Sequence, residues 1–462
     1  MSLASPAAAL GAGLLVELDH QPDLLALQRA HPGLFPLLLE SASRGPRGRF
    51  DVLLACAGEG FFKRADGRLQ DLAGAPLQGT CFLAELAERT GLQGAVQPAH
   101  GLPFHGGWGL FLGYEIAAEI EPVLRLPADP SGMPQAVAWR CPAALVIDHA
   151  LERSFLVAES GAQSLLQRVE TLLAELPQSV TAVAPCLAEL HEAPAEAYLD
   201  AVQRALDYIA AGDVFQVNLS RRWSGTLQAE DPIGALYAAL RAQNPAPFSG
   251  LAVLPDGSAV ISSSPERLVS RRGERLETRP IAGTRPRVAG DDDAQRIREL
   301  VAHPKERAEH IMLIDLERND LGRVSRPGSV RVDELMAVES YAHVHHIEST
   351  VSGMLREGIG LAEVIRAVFP GGTITGCPKV RCMEIIAELE GEGRGAYTGA
   401  LGWLDHGGDF DLNILIRSFA LRGNTFSFRA GAGVVADSDP QRELAETRAK
   451  ARGLLRALGQ AG

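Results

Sequence analysis

Strand-like runs in this chain come in neighbouring groups joined by polar turns, and do not alternate one for one with helices. FSGLAVL and SAVISSSPERLVSRRGERLETRPIAGT follow each other between residues 248 and 284 with no helical pattern between them. Helices occur singly. YLDAVQRALDYIAAGD, from Tyr198, has apolar residues at helical spacing and stops at Gly212, and Pro304 opens PKERAEHIMLIDLERNDLG, which stops at Gly322. An amphipathic helix over about 441–458 follows the strand TFSFRAGAGVVADSDP. Strands and helices in this order exclude a repeating βαβ array and predict the α+β class.

The first 180 residues alternate β-type runs, RFDVLLACAG and AALVIDHALERSFLVA, with Gly/Pro breaks such as GLPFHGGWGLFLGYE, and end in the helical AQSLLQRVETLLAEL. Residues 181–195, inside TAVAPCLAELHEAPAEA, are rich in Ala and Pro without periodicity and read as a linker. The expected division is therefore 1–180, linker 181–195, and a denser part over 196–460. The strand-rich first part is expected to pack onto the sheet of the second.

Composition bounds the function classes. With 44 Lys+Arg against 57 Asp+Glu the net charge is −13, which argues against a nucleic-acid partner. Hydrophobic residues at 46% allow a large core, and no apolar run reaches the roughly 18 residues of a membrane span, so no membrane partner is expected. Six cysteines form no CxxC pair, and no Lys or Arg precedes Arg29 to build a secretory leader. The expected location is cytoplasmic.

Two carboxylate pairs carry candidate chemistry: Glu306 with Glu309 on the Pro304 helix, and Glu443 with Glu446 on the last helix, with Lys450 four further on. Three- and four-residue steps put side chains on one helix face. Opposed faces would surround a point with oxygen donors that suit a hard cation such as magnesium (Mg2+). Solvated faces explain the same spacing equally well. The Gly-rich GAGVVAD at 431–437 and PGGTITGCPK at 370–379 allow close backbone approach to an anion but match no nucleotide-binding spacing. In YAHVHHIEST, His343 and His345 share one strand face and His346 the other, too few ligands for zinc.

Read together, SPERLVS, RPIAGTRPR, EHIMLIDLERNDLGRV, PGSVRVDELMAVESYAHVHHIEST, FPGGTITGCPKVRCMEIIAELE, DLNILIRSF and GAGVVADSDPQRELAETRAKA resemble, in this order, the chorismate-utilising enzymes. That family includes anthranilate synthase component I, aminodeoxychorismate synthase component I, isochorismate synthase and salicylate synthase. The resemblance covers residues 196–460 and extends to LLLESAS and RFDVLLA in residues 1–180. It implies an α+β fold of large antiparallel β-sheets flanked by helices, like anthranilate synthase component I.

The resemblance also implies roles. Glu309 and Glu446 match direct magnesium ligands, and Glu306 and Glu443 match the carboxylates that hold its waters; magnesium then bridges to the ring carboxylate of chorismate. Tyr397 and Arg417 match the pyruvyl carboxylate site, Gly431 and Gly433 offer amides to a carboxylate with Lys450 beside them, and Glu266 matches the general acid for the departing 4-hydroxyl. His346 and Thr373 match residues lining the ring, and Gly283 and Thr284 of PIAGT belong to the same substrate-binding set. Water-adding members resemble one another in an activating lysine where this chain has Gln216, which leaves ammonia as the better nucleophile.

VNLS with Asn218, NPAPFSG and DLNILIR look like aminodeoxychorismate synthase component I, which makes 4-amino-4-deoxychorismate on the route to 4-aminobenzoate and folate. Ala282 stands where many of these enzymes carry a covalent lysine, and in this it resembles anthranilate synthase component I, the alternative. No amidotransferase region is recognisable, so a glutamine amidotransferase partner that supplies ammonia is expected. Leu39-Glu40-Ser41 resembles the inhibitor motif of anthranilate synthase and implies a tryptophan site. A purely regulatory tryptophan-binding role is the alternative of a different class.

Overall fold

The computed structural model describes residues 8–10, 13–43, 48–91, 101–175, 185–286, 304–340 and 344–460, with backbone alone at 8–10, 282, 284–286, 304–306, 340 and 344–346. Among them the chain forms two antiparallel sheets of thirteen and eleven strands. Sequence distance gives no guide to neighbours in either. The first sheet begins with Ala8–Leu10, Gly13–Leu18, Arg153–Glu159, Ala143–Asp148, Phe50–Ala55 and Leu37–Glu40. It continues, with no break, into Phe248–Val253, Ala259–Ser264, Ser418–Arg422, Thr425–Val435, Gln216–Gln228 and Cys186–Glu192. The seam is the pairing of Ser249 with Glu40. In the second sheet Ala400–Asp405 pairs with Gly107–Leu112, Leu401 opposite Phe111. Residues 1–180 and 196–460 thus share both sheets, in line with the expected α+β class and its antiparallel sheets.

The expected linker needs correcting. Cys186–Glu192 is a strand on the edge of the first sheet, with Leu190 opposite Gly225 of Gln216–Gln228. All seven of its residues are exposed or only partly buried, so it carries no apolar alternation; its backbone ladder alone makes it a strand.

The sheets pack face to face. Leu37, Val52, Leu54, Val146 and Val260 of the first meet Phe111, Trp139, Leu401 and Trp403 of the second in one apolar layer. A Cβ on Gly109 would lie 3.0 Å from Leu37 and Leu54, and one on Gly250 would lie 2.8 Å from Leu401, so bare backbone lets the sheets close. Because successive side chains alternate, Leu53 and Ala55 turn to the other face, where Leu24, Leu27, Leu236, Leu240, Leu454 and other helical residues cover them. Ile314 and Leu321 of the Pro304–Gly322 helix, with Val364 and Ile365, cover the second sheet likewise. Among the described residues no helix is long and apolar enough to cross a membrane.

Local chemistry fixes the elements that frame the site. The Pro440–Ala457 helix starts on Asp439, whose carboxylate accepts from Arg442 N at 2.9 Å, with proline in the first turn. Gly212, at φ +83°, ends the Ala195–Ala210 helix and releases the chain into Gln216–Gln228.

Candidate active site

Gln216–Gln228 and Thr425–Val435 are adjacent strands, Asn218 opposite Gly433 and Ser220 opposite Gly431. The glycines are there for space. A Cβ on Gly431 would stand 2.7 Å from the Tyr397 hydroxyl and 2.8 Å from Asn218 Oδ1, and one on Gly433 would stand 2.3 Å from Gln216 Nε2. Gln216, Asn218 and Tyr397 therefore crowd over bare backbone. All three are buried, and among the described residues Gln216 Oε1 and Asn218 Oδ1 have no hydrogen-bond partner. Buried unpartnered acceptors are costly unless something else meets them. Burial pushes the Tyr397 phenol up to about 12, so it stays a donor.

Lys450 bridges this wall to the last helix, donating to Gly431 O at 3.0 Å and pairing with Glu446 at 2.8 Å. Its charge also reaches Glu266, as does that of Arg417. Glu266 sits in the corner after Ala259–Ser264, fixed by its amide on Ser264 Oγ at 3.2 Å and its carbonyl on Ile414 N at 3.0 Å. Only 5% of it is exposed. Burial pushes its carboxyl up to about 7; Glu348 adds to this, while the Thr373 hydroxyl, the Ile281 amide and Lys450 oppose it. Thr373 does not close a well-formed bond, so its hydroxyl and Glu266 Oε1 are both buried and, among the described residues, unpartnered. A neutral carboxyl of this kind can give a proton near neutral pH.

Arg417 is held at φ +52°, in the left-handed region, and burial lowers its pKa. Such a backbone costs about 1–3 kcal/mol for a residue other than glycine and marks functional positions more often than others. Thr373 lies in the short turn Gly372–Ile374, beside Gly376–Cys377, which adds two further pairings to Gln216 and Val217. Thus Gln216, Glu266, Thr373, Tyr397, Arg417, Gly431, Gly433 and Lys450 come together.

Other predicted residues stand differently. Ala282 and Thr284 lie on Ile281–Pro286 opposite Ile347 and His346, with a bulge at Gly283, where φ is +67°. The side chains of Ala282, Thr284, Glu306 and His346 lie outside the described residues, as does His343 altogether. Glu443 is buried and Glu309 half-buried, whereas Glu446 is exposed. The Pro304–Gly322 helix packs on Ile281–Pro286 and Val344–Met354, and the Pro440–Ala457 helix packs on Thr425–Val435. Among the described residues no three His, Cys, Asp or Glu side chains group closely enough for a metal. The donors on the two helices are carboxylates, chemistry that fits a hard divalent cation.

Glu40 and Ser41 belong to a separate place. The Glu40 carboxylate accepts from the Tyr237 hydroxyl at 2.5 Å and from Arg241 at 2.9 Å, and Ser41 Oγ donates to carbonyls of Phe50 and Pro247. Asn413, the polar residue of DLNILIR, is also spent on backbone, accepting from Leu401 N at 3.0 Å and donating to Phe248 O at 3.0 Å.

Sequence reasoning passed over Glu317. It is 5% exposed, and burial beside Asp320 pushes it up to about 8, Lys379 pulling the other way. Its position in LERND shows only a polar helix residue. Tyr198, buried beside Glu443 and Tyr397 and pushed up by burial, was equally hidden within an apolar helix face.

Residues 52–456 match the chorismate binding enzyme family. The chain is 45% identical over 372 residues to aminodeoxychorismate synthase component 1 of Bacillus subtilis, covering 78% of each. It is 40% identical over 447 residues to anthranilate synthase component 1 of Thermus thermophilus, covering 94% of each. Its fold superposes on anthranilate synthase component I of Streptococcus pneumoniae with a TM-score of 0.77 at 31% identity, covering 89% of this chain and 93% of that one.

Proposed function

From a chain that belongs to the chorismate-binding enzymes, we propose the synthase component that aminates chorismate with ammonia to 4-amino-4-deoxychorismate, aminodeoxychorismate synthase component I. The observation that carries amination is Gln216. A glutamine packed against Gly433 has no basic nitrogen to take a proton from water, so ammonia, already a nucleophile, is the species that reacts.

The residues divide the work in this reading. Tyr397 and Arg417 hold the pyruvyl carboxylate, a planar guanidinium suiting a carboxylate's two oxygens. Lys450 and the Gly431 and Gly433 backbone face the second carboxylate. Thr373 and His346 line the ring, with Gly283 and Thr284 along its edge. Glu266 gives its proton to the 4-hydroxyl as the C4–O bond breaks and water leaves. The nitrogen that becomes bonded to the ring sheds a proton, which restores the acid. Glu309 and Glu446 directly, and Glu306 and Glu443 through water, would hold a magnesium ion, which when bound neutralises the ring carboxylate. Ammonia comes from a glutamine amidotransferase partner.

Of the two aminated products, VNLS with Asn218 supports 4-amino-4-deoxychorismate, because that block resembles aminodeoxychorismate synthase component I. The occupied Glu40 points the same way, since a tryptophan ammonium would have to share that carboxylate with Arg241. DLNILIR lends less support than its pattern suggests, as Asn413 serves the backbone. A second reading, anthranilate synthase component I, rests on Ala282, where no lysine is available to add to the ring.

The test is turnover of chorismate with magnesium and an ammonium salt, with and without a lyase that converts aminodeoxychorismate. Appearance of 4-aminobenzoate only with the lyase supports the proposal. Anthranilate in both reactions favours the second reading, and isochorismate overturns amination itself.

A further inference from the structure

The loop that carries Tyr397 holds a fully buried guanidinium. Arg394 has 1% of its side chain exposed and pairs with Glu390 at 2.6 Å. Its other donors go to two main-chain carbonyls and a hydroxyl: Nη2 to Asn218 O at 2.8 Å, and Nη1 to Ile374 O at 3.1 Å and Thr398 Oγ1 at 3.4 Å. The same group lies 5.5 Å from the Tyr397 ring centre. Asn218, the turn of Thr373 and Tyr397 are three separate pieces of the wall described above, and one planar cation reaches all of them. Glu390 braces the cation from behind, accepting also from Arg429 at 2.9 Å and from Ser220 N at 2.8 Å.

The loop is held from the N-terminal region too. The amides of Arg394 and Gly395 both donate to one oxygen of Glu115, at 2.8 and 3.1 Å, and Tyr114 N donates back to Gly395 O at 2.8 Å. Gly395 has φ +58°, and a Cβ there would lie 2.6 Å from the Asp129 carboxylate, so a side chain would be strained and would have to displace that carboxylate. Burying a whole ion pair is weak evidence for stability, since apolar packing would serve as well. A rigid fork with five donors can instead set distances among groups that no apolar residue could fix.

Resting on the chorismate reading, we propose that Arg394 is a positioning residue that sets the spacing of Tyr397, Asn218 and Thr373 around the substrate, and that Glu115 anchors it from the N-terminal region. Neither touches chorismate. On this reading part of residues 1–180 aligns the site as well as packing onto its sheets.

The test compares full-length Arg394→Lys, Glu115→Gln and Glu115→Leu with the wild type in chorismate saturation curves. Lysine keeps the charge against Glu390 but cannot span both carbonyls, so KM for chorismate should rise on the order of ten- to a hundredfold, the scale of a small misplacement. The half-saturating ammonium and magnesium concentrations should stay within about twofold, since the Arg394 guanidinium hydrogen-bonds to Glu390, Ile374, Thr398 and Asn218 and to none of the residues assigned to the nucleophile or the metal. Glu115→Gln keeps an acceptor for both amides and should stay near wild type, while Glu115→Leu should shift KM in the direction of Arg394→Lys. Wild-type KM in both Arg394→Lys and Glu115→Leu overturns the inference. So does a rise of all three constants together with lost thermal stability, the mark of general loosening. If Arg394→Lys does not fold, the two Glu115 variants decide on the same terms. A wild type that does not consume chorismate overturns the proposed function, and this inference with it.

Discussion

Replacing Glu266 by glutamine should cost activity and gain stability, with a pH dependence that identifies the cause. The carboxyl is pushed by burial from an ordinary 4.5 up to about 7. At about 1.4 kcal/mol per pH unit that gap amounts to about 3 kcal/mol. The native state binds this proton more tightly than the unfolded chain does. Below the unfolded value both states are protonated and nothing is lost; as pH rises from 4.5 to about 7 the native state must either keep its proton or bury a charge, and stability falls. Above about 7 the full loss of about 3 kcal/mol is present. Glutamine does not titrate. Denaturant unfolding of Glu266→Gln and wild type should therefore agree below pH 4.5 and diverge above it, the variant more stable, to a plateau above about pH 7.5. Turnover should fall by about 10²–10⁴, the usual contribution of a general acid. Parallel stability curves would show that Glu266 is not a protonated buried acid. A stabilised variant with near-wild-type turnover would show that its proton is not used.

Four further outcomes are expected. Glu309→Gln and Glu446→Gln should each raise the magnesium concentration needed for half-maximal rate by more than tenfold, and Glu306→Gln and Glu443→Gln by less, because a direct anionic ligand counts for more than one acting through water; equal turnover of Glu309→Gln and wild type at limiting magnesium would remove the metal assignment. Gln216→Lys should begin to release isochorismate beside the aminated product, read by mass spectrometry, and a purely aminated output would mean that this position does not select the nucleophile. Tryptophan should leave both rate and thermal midpoint unchanged, since Arg241 and Tyr237 already engage Glu40; a saturable thermal shift would restore the inhibitor site. Arg241→Ala should, on the same reasoning, make any latent tryptophan binding visible by calorimetry.

What could be read from the chain depended on how local its cause was. The Pro304–Gly322 helix was legible because proline and glycine punctuate it, and the α+β class because strand grouping is a short-range pattern. Pairing across the seams was not: Glu40 meets Ser249 through shape complementarity of whole sheets, which no window of residues encodes. Cys186–Glu192 was lost because an edge strand exposed on both faces has no hydrophobic signature. In the site, the ExxE spacing spoke for a face but not for what it faces; only the ordered blocks made Glu266, Arg417 and Lys450 members of one set. Arg394 and Glu390 stand in ELEGEGRGAY, a run whose charges and glycines read as a solvated turn, although both side chains are buried. A buried ion pair and a surface charge run are written with the same letters.

The central claim is that nitrogen replaces the 4-hydroxyl of chorismate. It is tested most directly by supplying nitrogen-15 ammonium with magnesium and chorismate and locating the new bond in the product by nuclear magnetic resonance. The account predicts nitrogen on the carbon that bore the hydroxyl, with the enolpyruvyl group still attached. Nitrogen on the carbon next to the one that carries the ring carboxylate, with pyruvate released, would contradict it.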